Sequence, residues 1–217
     1  MTSTASTKRI IIVSVLLLAI AGIAAAAALQ YYTREVKGKA VLPVLGEVMD
    51  FEFENYDGTK VTRASMLGKV WVVDFIFTTC GGLCPLMTTA MGQVQQGVRA
   101  IGGLDATSLR LVSVTTDPEV DTKERLRAYA ETHEARPELW YFLRGPFADV
   151  QRFSQDALKL SLERATKEQV SAGAEKVMHS DRFVLIDRRG RIRGFYGGTR
   201  PDEVRELIQA IPRLVAE

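Results

Sequence analysis

The chain predicts an α/β domain, with helices on both faces of a mixed sheet, carried behind one apolar segment long enough to span a bilayer. Three observations lead there. Residues 10–29 form an uncharged apolar run. Two near-continuous β-branched and aromatic stretches, Val70–Phe77 (VWVVDFIF) and Leu109–Val114 (LRLVSV), are each followed by a helical pattern. That is how strands buried on both faces of a parallel sheet read. Finally, Arg182–Ile186 and Arg191–Tyr196 flank Asp187-Arg-Arg-Gly190, a strong hairpin signal that adds antiparallel strands before a last helix.

The apolar run IIIVSVLLLAIAGIAAAAAL follows Lys8 and Arg9 and precedes Tyr31-Tyr32. Twenty helical residues reach about 30 Å, the thickness of a bilayer core. The flanking positive charges place residues 1–9 in the cytoplasm and everything after the run outside it. The expected layout is a cytoplasmic tail (1–9), a transmembrane anchor (10–29), a linker (30–44) and a folded domain (45–217). The small residues Ala24–Ala28 also fit a peptidase site, the cleaved-signal alternative, but the run exceeds a signal core of about 7–15 residues. The short amino terminus lacks an Arg-rich presequence, which favours a bacterial inner membrane with the domain in the periplasm.

In the exported part, Asp50–Asn55 (DFEFEN) alternates as a strand and Asp57-Gly58 marks a turn. Pro85 opens a helix to about residue 100, with Met87, Met91, Val94 and Val98 on one stripe. Asp117-Pro118 begins a helix ending near Thr132, and Trp140–Leu143 is a short strand. Phe147–Leu158 reads as helix, and 161–178 as a polar, weakly periodic excursion. Thr199-Arg-Pro-Asp202 reads as a capping-box-like start for a final helix with Val204, Leu207, Ile208 and Ile211 on one face.

Charge excludes one class of partner. The 217 residues carry 28 Lys and Arg against 26 Asp and Glu. The excess lies at Lys8 and Arg9, so the chain beyond the run is formally neutral, unlike a nucleic-acid binder. The two cysteines are too few for a disulfide scaffold, and His133 and His179 are the only histidines.

Chemistry concentrates at Cys80-Gly-Gly-Leu-Cys84-Pro85, between a buried strand and a helix start. Amide groups at a helix start favour an anion, so a thiolate there is stabilised. Two such thiols can close a disulfide or grip a soft metal. Thioredoxin-type oxidoreductases use two intervening residues, and this chain has three. The bland reading is a structural disulfide or incidental core cysteines.

The stretch Asp74-Phe-Ile-Phe-Thr-Thr-Cys80-Gly-Gly-Leu-Cys84-Pro85 resembles the active segment of the Sco/SenC family. Val112-Ser-Val-Thr-Thr-Asp117-Pro118 with Asp121-Thr122 is similar to the family's acidic-proline turn. His179-Ser-Asp-Arg-Phe-Val-Leu-Ile-Asp187 is similar to its histidine-bearing segment. One departure is Gly81, where family members often have Pro.

The resemblance implies a membrane-anchored, thioredoxin-like copper chaperone for assembly of the cytochrome c oxidase copper centre. It implies one copper site, Cu(I) or Cu(II), with Cys80, Cys84 and His179 as metal ligands and Asp117 as a possible supporting residue. It also implies two protein partners, a copper-receiving oxidase subunit and a thiol reductant. Soft Cu(I) suits thiolate and imidazole, whereas structural zinc wants a fourth ligand and there is no third cysteine. Asp117 has a bland alternative as a cap before Pro118, and His133 reads as a solvated helix end. Met87, Met91 and Met178 read as packing residues, adjacent to the ligands at best.

The metal-carrier role is not an enzyme's. The runner-up is an extracytoplasmic thiol–disulfide oxidoreductase, with Cys80 or Cys84 attacking. Such enzymes usually face their cysteines with a cis-proline loop, and Phe147–Gly198 holds no proline. A peroxidase is disfavoured by Ile76 and Phe77, where that chemistry needs Pro and Thr or Ser.

Overall fold

A computed structural model describes residues 13–30, 41–102, 104–166, 168, 171 and 177–217, with the side chains of 177–179 left out. The chain forms two compact units, Met1–Leu42 and Pro43–Glu217. In the first, helix α1 covers Val13–Gln30 with a mean hydropathy of 2.2 and is long and apolar enough to cross a membrane.

The second unit is built on an eight-stranded sheet in the order β1-β10-β9-β4-β5-β6-β2-β3. Its strands are β1 (Gly46–Glu47), β2 (Glu52–Asn55), β3 (Lys60–Thr62), β4 (Val70–Ile76), β5 (Leu109–Thr115), β6 (Trp140–Arg144), β9 (Arg182–Ile186) and β10 (Arg191–Gly197). A separate pair joins β7 (Leu162–Arg164) to β8 (Val177–His179). The β4, β5 and β6 strands are parallel, and the remaining neighbours run antiparallel. Every residue of β4 is buried, as its unbroken apolar run requires.

Alternation divides the sheet residues between two faces. Trp71, Val73, Phe75, Val112, Val114, Val184 and Ile186 share one core cluster with Phe53, Val150 and Phe153. That face is covered by α5 (Phe147–Arg152) and the π-helical turn Phe153–Ala157. Val72, Asp74 and Ile76 point the other way, toward α3 (Leu83–Ile101) and α6 (Pro201–Val215), both of which contact β4. The two helices approach closely at Gly97, where a Cβ would stand 2.8 Å from Ile208. The stripe Met87, Met91, Val94 and Val98 is fully buried, so these methionines are core, as their spacing predicts. The β9–β10 turn closes on Gly190 at φ +78°, a left-handed conformation that suits glycine.

Three local expectations need correction. Asp117-Pro118 does not open a helix. It starts a turn in which the amides of Val120 and Asp121 donate to the Asp117 carbonyl, and α4 (Lys123–Thr132) begins after Thr122. Thr122 caps it by accepting from the Arg125 amide, so Asp117 is not a helix cap. Nor does Thr199 form a capping box: its hydroxyl donates to Asp181 at 2.9 Å, and α6 starts on Pro201 without a side-chain cap. Phe147–Leu158 is not one α-helix, since its second half widens into the π-helical turn. The excursion at 161–178 contributes β7 and most of β8, while 167, 169, 170 and 172–176 lie outside the described residues. Strands β1 and β3 and the single-turn α2 (Arg63–Met66) had no sequence expectation. They are too short to set up a period.

Candidate functional site

The site is assembled at the carboxyl ends of the central strands β4 and β5. Leaving β4, the chain turns at Phe77, whose carbonyl accepts from the Cys80 amide at 3.2 Å. Helix α3 then starts at Leu83, placing Cys84 in its first turn. Both cysteines are free thiols. The Cys84 amide donates to the Cys80 sulfur at 3.4 Å, so that sulfur sits at the positive end of a 19-residue helix. Cys80 is half-buried; Cys84 is fully buried. Burial pushes the Cys84 thiol well up, and its hydrogen bond with Cys80 pushes it further.

Parallel β5 brings the second element. Thr116 donates its amide to the Ile76 carbonyl at 2.8 Å, which places Asp117 beside the exit of β4. Asp117 is buried, and its amide donates to the Thr115 hydroxyl at 3.1 Å. Fully buried Asp121 ties the two loops together. Its carboxylate accepts from the Thr78 amide at 3.1 Å and from the hydroxyls of Thr78 and Thr115.

The third element enters from β9. Antiparallel pairing of Val73 with Val184 and Trp71 with Ile186 sets the start of β9 beside the end of β4. Only Ser180 and Asp181 separate that start from His179, the last residue of β8. The backbone thus brings position 179 toward the end of the sheet where β4 leads into the Cys80–Cys84 loop. The imidazole of His179 and the side chain of Met178 lie outside the described side chains. Among the described residues, no group of three His, Cys, Asp or Glu converges to hold a metal.

Helix α4 touches α3 one turn beyond Cys84. The Thr88 hydroxyl donates to the Cys84 carbonyl at 2.9 Å and lies 2.7 Å from the Tyr129 hydroxyl. His133 is the C-cap of α4, the helix end its sequence position predicts, and is partly open to solvent. It is half-buried against the Tyr129 ring, with centroids 4.4 Å apart, and burial lowers its pKa.

Under α3, Asp74 is fully buried and accepts from Ser113 at 2.6 Å, which in turn accepts from the Trp140 indole at 3.0 Å. Its second oxygen has no hydrogen-bond partner. Burial pushes the carboxyl up to about 7. Asp74, Asp121 and Tyr129 were not anticipated as site residues. Asp74 had left a signal, a carboxylate inside an otherwise unbroken apolar strand.

A mixed sheet with helices on both faces and a CxxxC dithiol at a strand-to-helix junction defines a class of thioredoxin-like dithiol domains. The SCO1/SenC family model matches residues 45–216. This chain belongs to that family, and its fold is thioredoxin-like. It is 29% identical over 170 residues to a SCO1 protein homolog of Bacillus subtilis, spanning 78% of this chain and 83% of the relative. It is 28% identical over 157 residues to a putative copper-binding protein of Stutzerimonas stutzeri, spanning 71% of each. Among solved structures it is similar to BsSco, described with a disulfide switch and as a member of the Sco family of cytochrome c oxidase assembly proteins. That match has a TM-score of 0.67 and 28% identity, and covers 81% of this chain and 98% of the other.

Proposed function

We propose that this protein is a copper carrier tethered to a bacterial inner membrane by α1, with its folded unit in the periplasm. It binds one copper ion, delivers it to an oxidase subunit during assembly of the cytochrome c oxidase copper centre, and turns over no small molecule. The ligands are Cys80, Cys84 and His179, with Asp117 beside them. The observation that carries this reading is the pair of free thiols at the start of α3, at the end of the sheet toward which the strand of His179 runs. The two relatives described as copper-binding and as oxidase-assembly proteins support it.

Copper is the cargo. Loading releases the thiol protons, and thiolates from the recipient then displace Cys80, Cys84 and His179 one at a time, with no net redox change. A Cys80–Cys84 disulfide offers no thiolate, so an external dithiol protein must reduce it first.

The test uses the full chain in detergent, reduced and titrated with Cu(II). A thiolate-to-copper charge-transfer band is expected, and His179→Ala should shift or weaken it. No band in the parent, together with brisk insulin-disulfide reduction, would instead support the runner-up, a thiol–disulfide oxidoreductase. That second reading draws on one observation: half-buried Cys80 at the helix start is placed as an attacking thiol.

A further inference from the structure

The strand pair that carries His179 is short. Strand β7 has three residues, and its Leu162 is the register partner of His179. A pair of this length does not hold its own position in water. Contacts from outside the pair help set where β8 runs, and among the described residues three side chains make such contacts with β7.

Two act on the backbone. Gln151 and Gln155, one helical turn apart across the junction of α5 and the π-helical turn, both donate side-chain amides to the Leu162 carbonyl, at 3.2 and 2.9 Å. The π-helical widening is the local irregularity that accompanies this convergence, and such bulges recur at functional sites. The third contact is made by Arg164, at the far end of β7. Its guanidinium donates to the Glu119 carboxylate at 2.6 Å and lies 3.9 Å from the centre of the Phe147 ring. Glu119 belongs to the turn that begins at Asp117. The strand partner of His179 is therefore fastened directly to the turn beside the thiol loop.

We propose that Arg164 is a positioning residue, a latch that holds the β7–β8 pair against the Asp117 turn and so sets the place of His179 in the copper site. This rests on the copper-carrier reading above and deepens it. Arg164 touches no ligand and acts through β7. Both members of the ion pair are substantially exposed. Such a pair is weak and screened by salt, whereas the stacking on Phe147 is less so. A breakable latch suits a carrier, because the imidazole must leave copper when the recipient takes it.

The test is copper retention by the full chain in detergent, reduced and loaded with Cu(II), measured as the rate at which excess EDTA strips the metal. Arg164→Gln is expected to speed loss about fivefold, the upper range for an exposed ion pair, and to reduce nitrogen hyperfine structure in the Cu(II) resonance spectrum. Arg164→Lys, which keeps the charge, should restore much of the retention. Raising the salt concentration should speed loss from the parent and leave Arg164→Gln unchanged. The decisive comparison is made in a His179→Ala background, where adding Arg164→Gln should change nothing further. Should Arg164→Gln fold poorly, Glu119→Gln breaks the same contact from the other side and should behave alike. An equal acceleration with and without His179 would overturn the latch while leaving the carrier reading intact. Unchanged copper loss in His179→Ala would instead overturn the carrier reading's ligand set, and the latch with it.

Discussion

The backbone amide of Cys84 donates to the sulfur of Cys80 at 3.4 Å, so the two cysteines of one loop have opposite electrostatic situations. Cys80 faces the amides of a helix start and is half open to solvent, whereas Cys84 is sealed within the first turn of α3 with its thiol held protonated by burial. Any chemistry at this dithiol begins from that asymmetry.

Alkylation should reveal it directly. In the reduced full-length protein at pH 8, brief iodoacetamide treatment is expected to label Cys80 at least about tenfold faster than Cys84, because the thiolate is the nucleophile and the buried thiol yields it reluctantly. Peptide mass spectrometry after quenching reads the ratio. Equal labelling would show that Cys84 is neither sealed nor held protonated.

Copper affinity should rise with pH. Because the Cys84 thiol is pushed up, it carries a proton across the neutral range, and binding as thiolate must release it. Each released proton makes affinity climb about tenfold per pH unit, so competition against a chelator of known pH dependence between pH 6 and 8 should show a slope of one or more. A flat profile would mean that the buried thiol is not a ligand.

Asp74 makes the domain less stable in alkali. Its folded value of about 7 lies above the ordinary 3.8 because burial disfavours the charge. Between those values the folded state holds a proton that the unfolded chain has lost. Stability is therefore greatest below about pH 4 for this group and falls as pH rises through 7, by on the order of 4 kcal/mol in total. Asp74→Asn keeps an acceptor for Ser113 and should flatten that part of the profile in urea unfolding from pH 5 to 8. An unaltered slope would assign the pH dependence to other groups.

Asp121 is the tie between the thiol loop and the acidic-proline turn. Asp121→Ala leaves the Thr78 amide and the Thr78 and Thr115 hydroxyls without their acceptor. An unsatisfied buried polar group costs about 1–3 kcal/mol, so a loss of roughly 3 kcal/mol in thermal unfolding is expected. Because the tie ends two residues before Cys80, alkylation of Cys80 should change as well. Stability retained within about 0.5 kcal/mol would show that water replaces the carboxylate freely.

Much of the fold was legible because its central strands obey simple rules. An apolar run such as Val70–Phe77 has one stable home, a strand covered on both faces, and its length matches β4 to within a residue. The hairpin around Asp187–Gly190 and the stripe on α3 followed from turn chemistry and a 3.6-residue period. One misreading came from a distant partner and another from a local turn. Thr199 was drawn from its cap by Asp181, and Asp117-Pro118 was held in a turn instead of a helix. At the site, the residue types of the thiols were plain, while the roles of Asp121 and Tyr129 were not. Asp121 reaches Thr78, 43 positions away, and Tyr129 reaches Thr88, 41 away, and no local pattern announces such a contact.

Local chemistry alone thus settled an apolar segment of membrane-spanning length, an α/β domain and a dithiol at a strand-to-helix junction, since composition and period are properties of neighbouring residues. The three-dimensional fold decided which thiol is sealed, that Asp117 begins a turn, and that β9 brings position 179 toward the end of the sheet where β4 leads into the thiol loop. These depend on sheet register and burial, and both arise only when segments far apart in the chain come to share one interior.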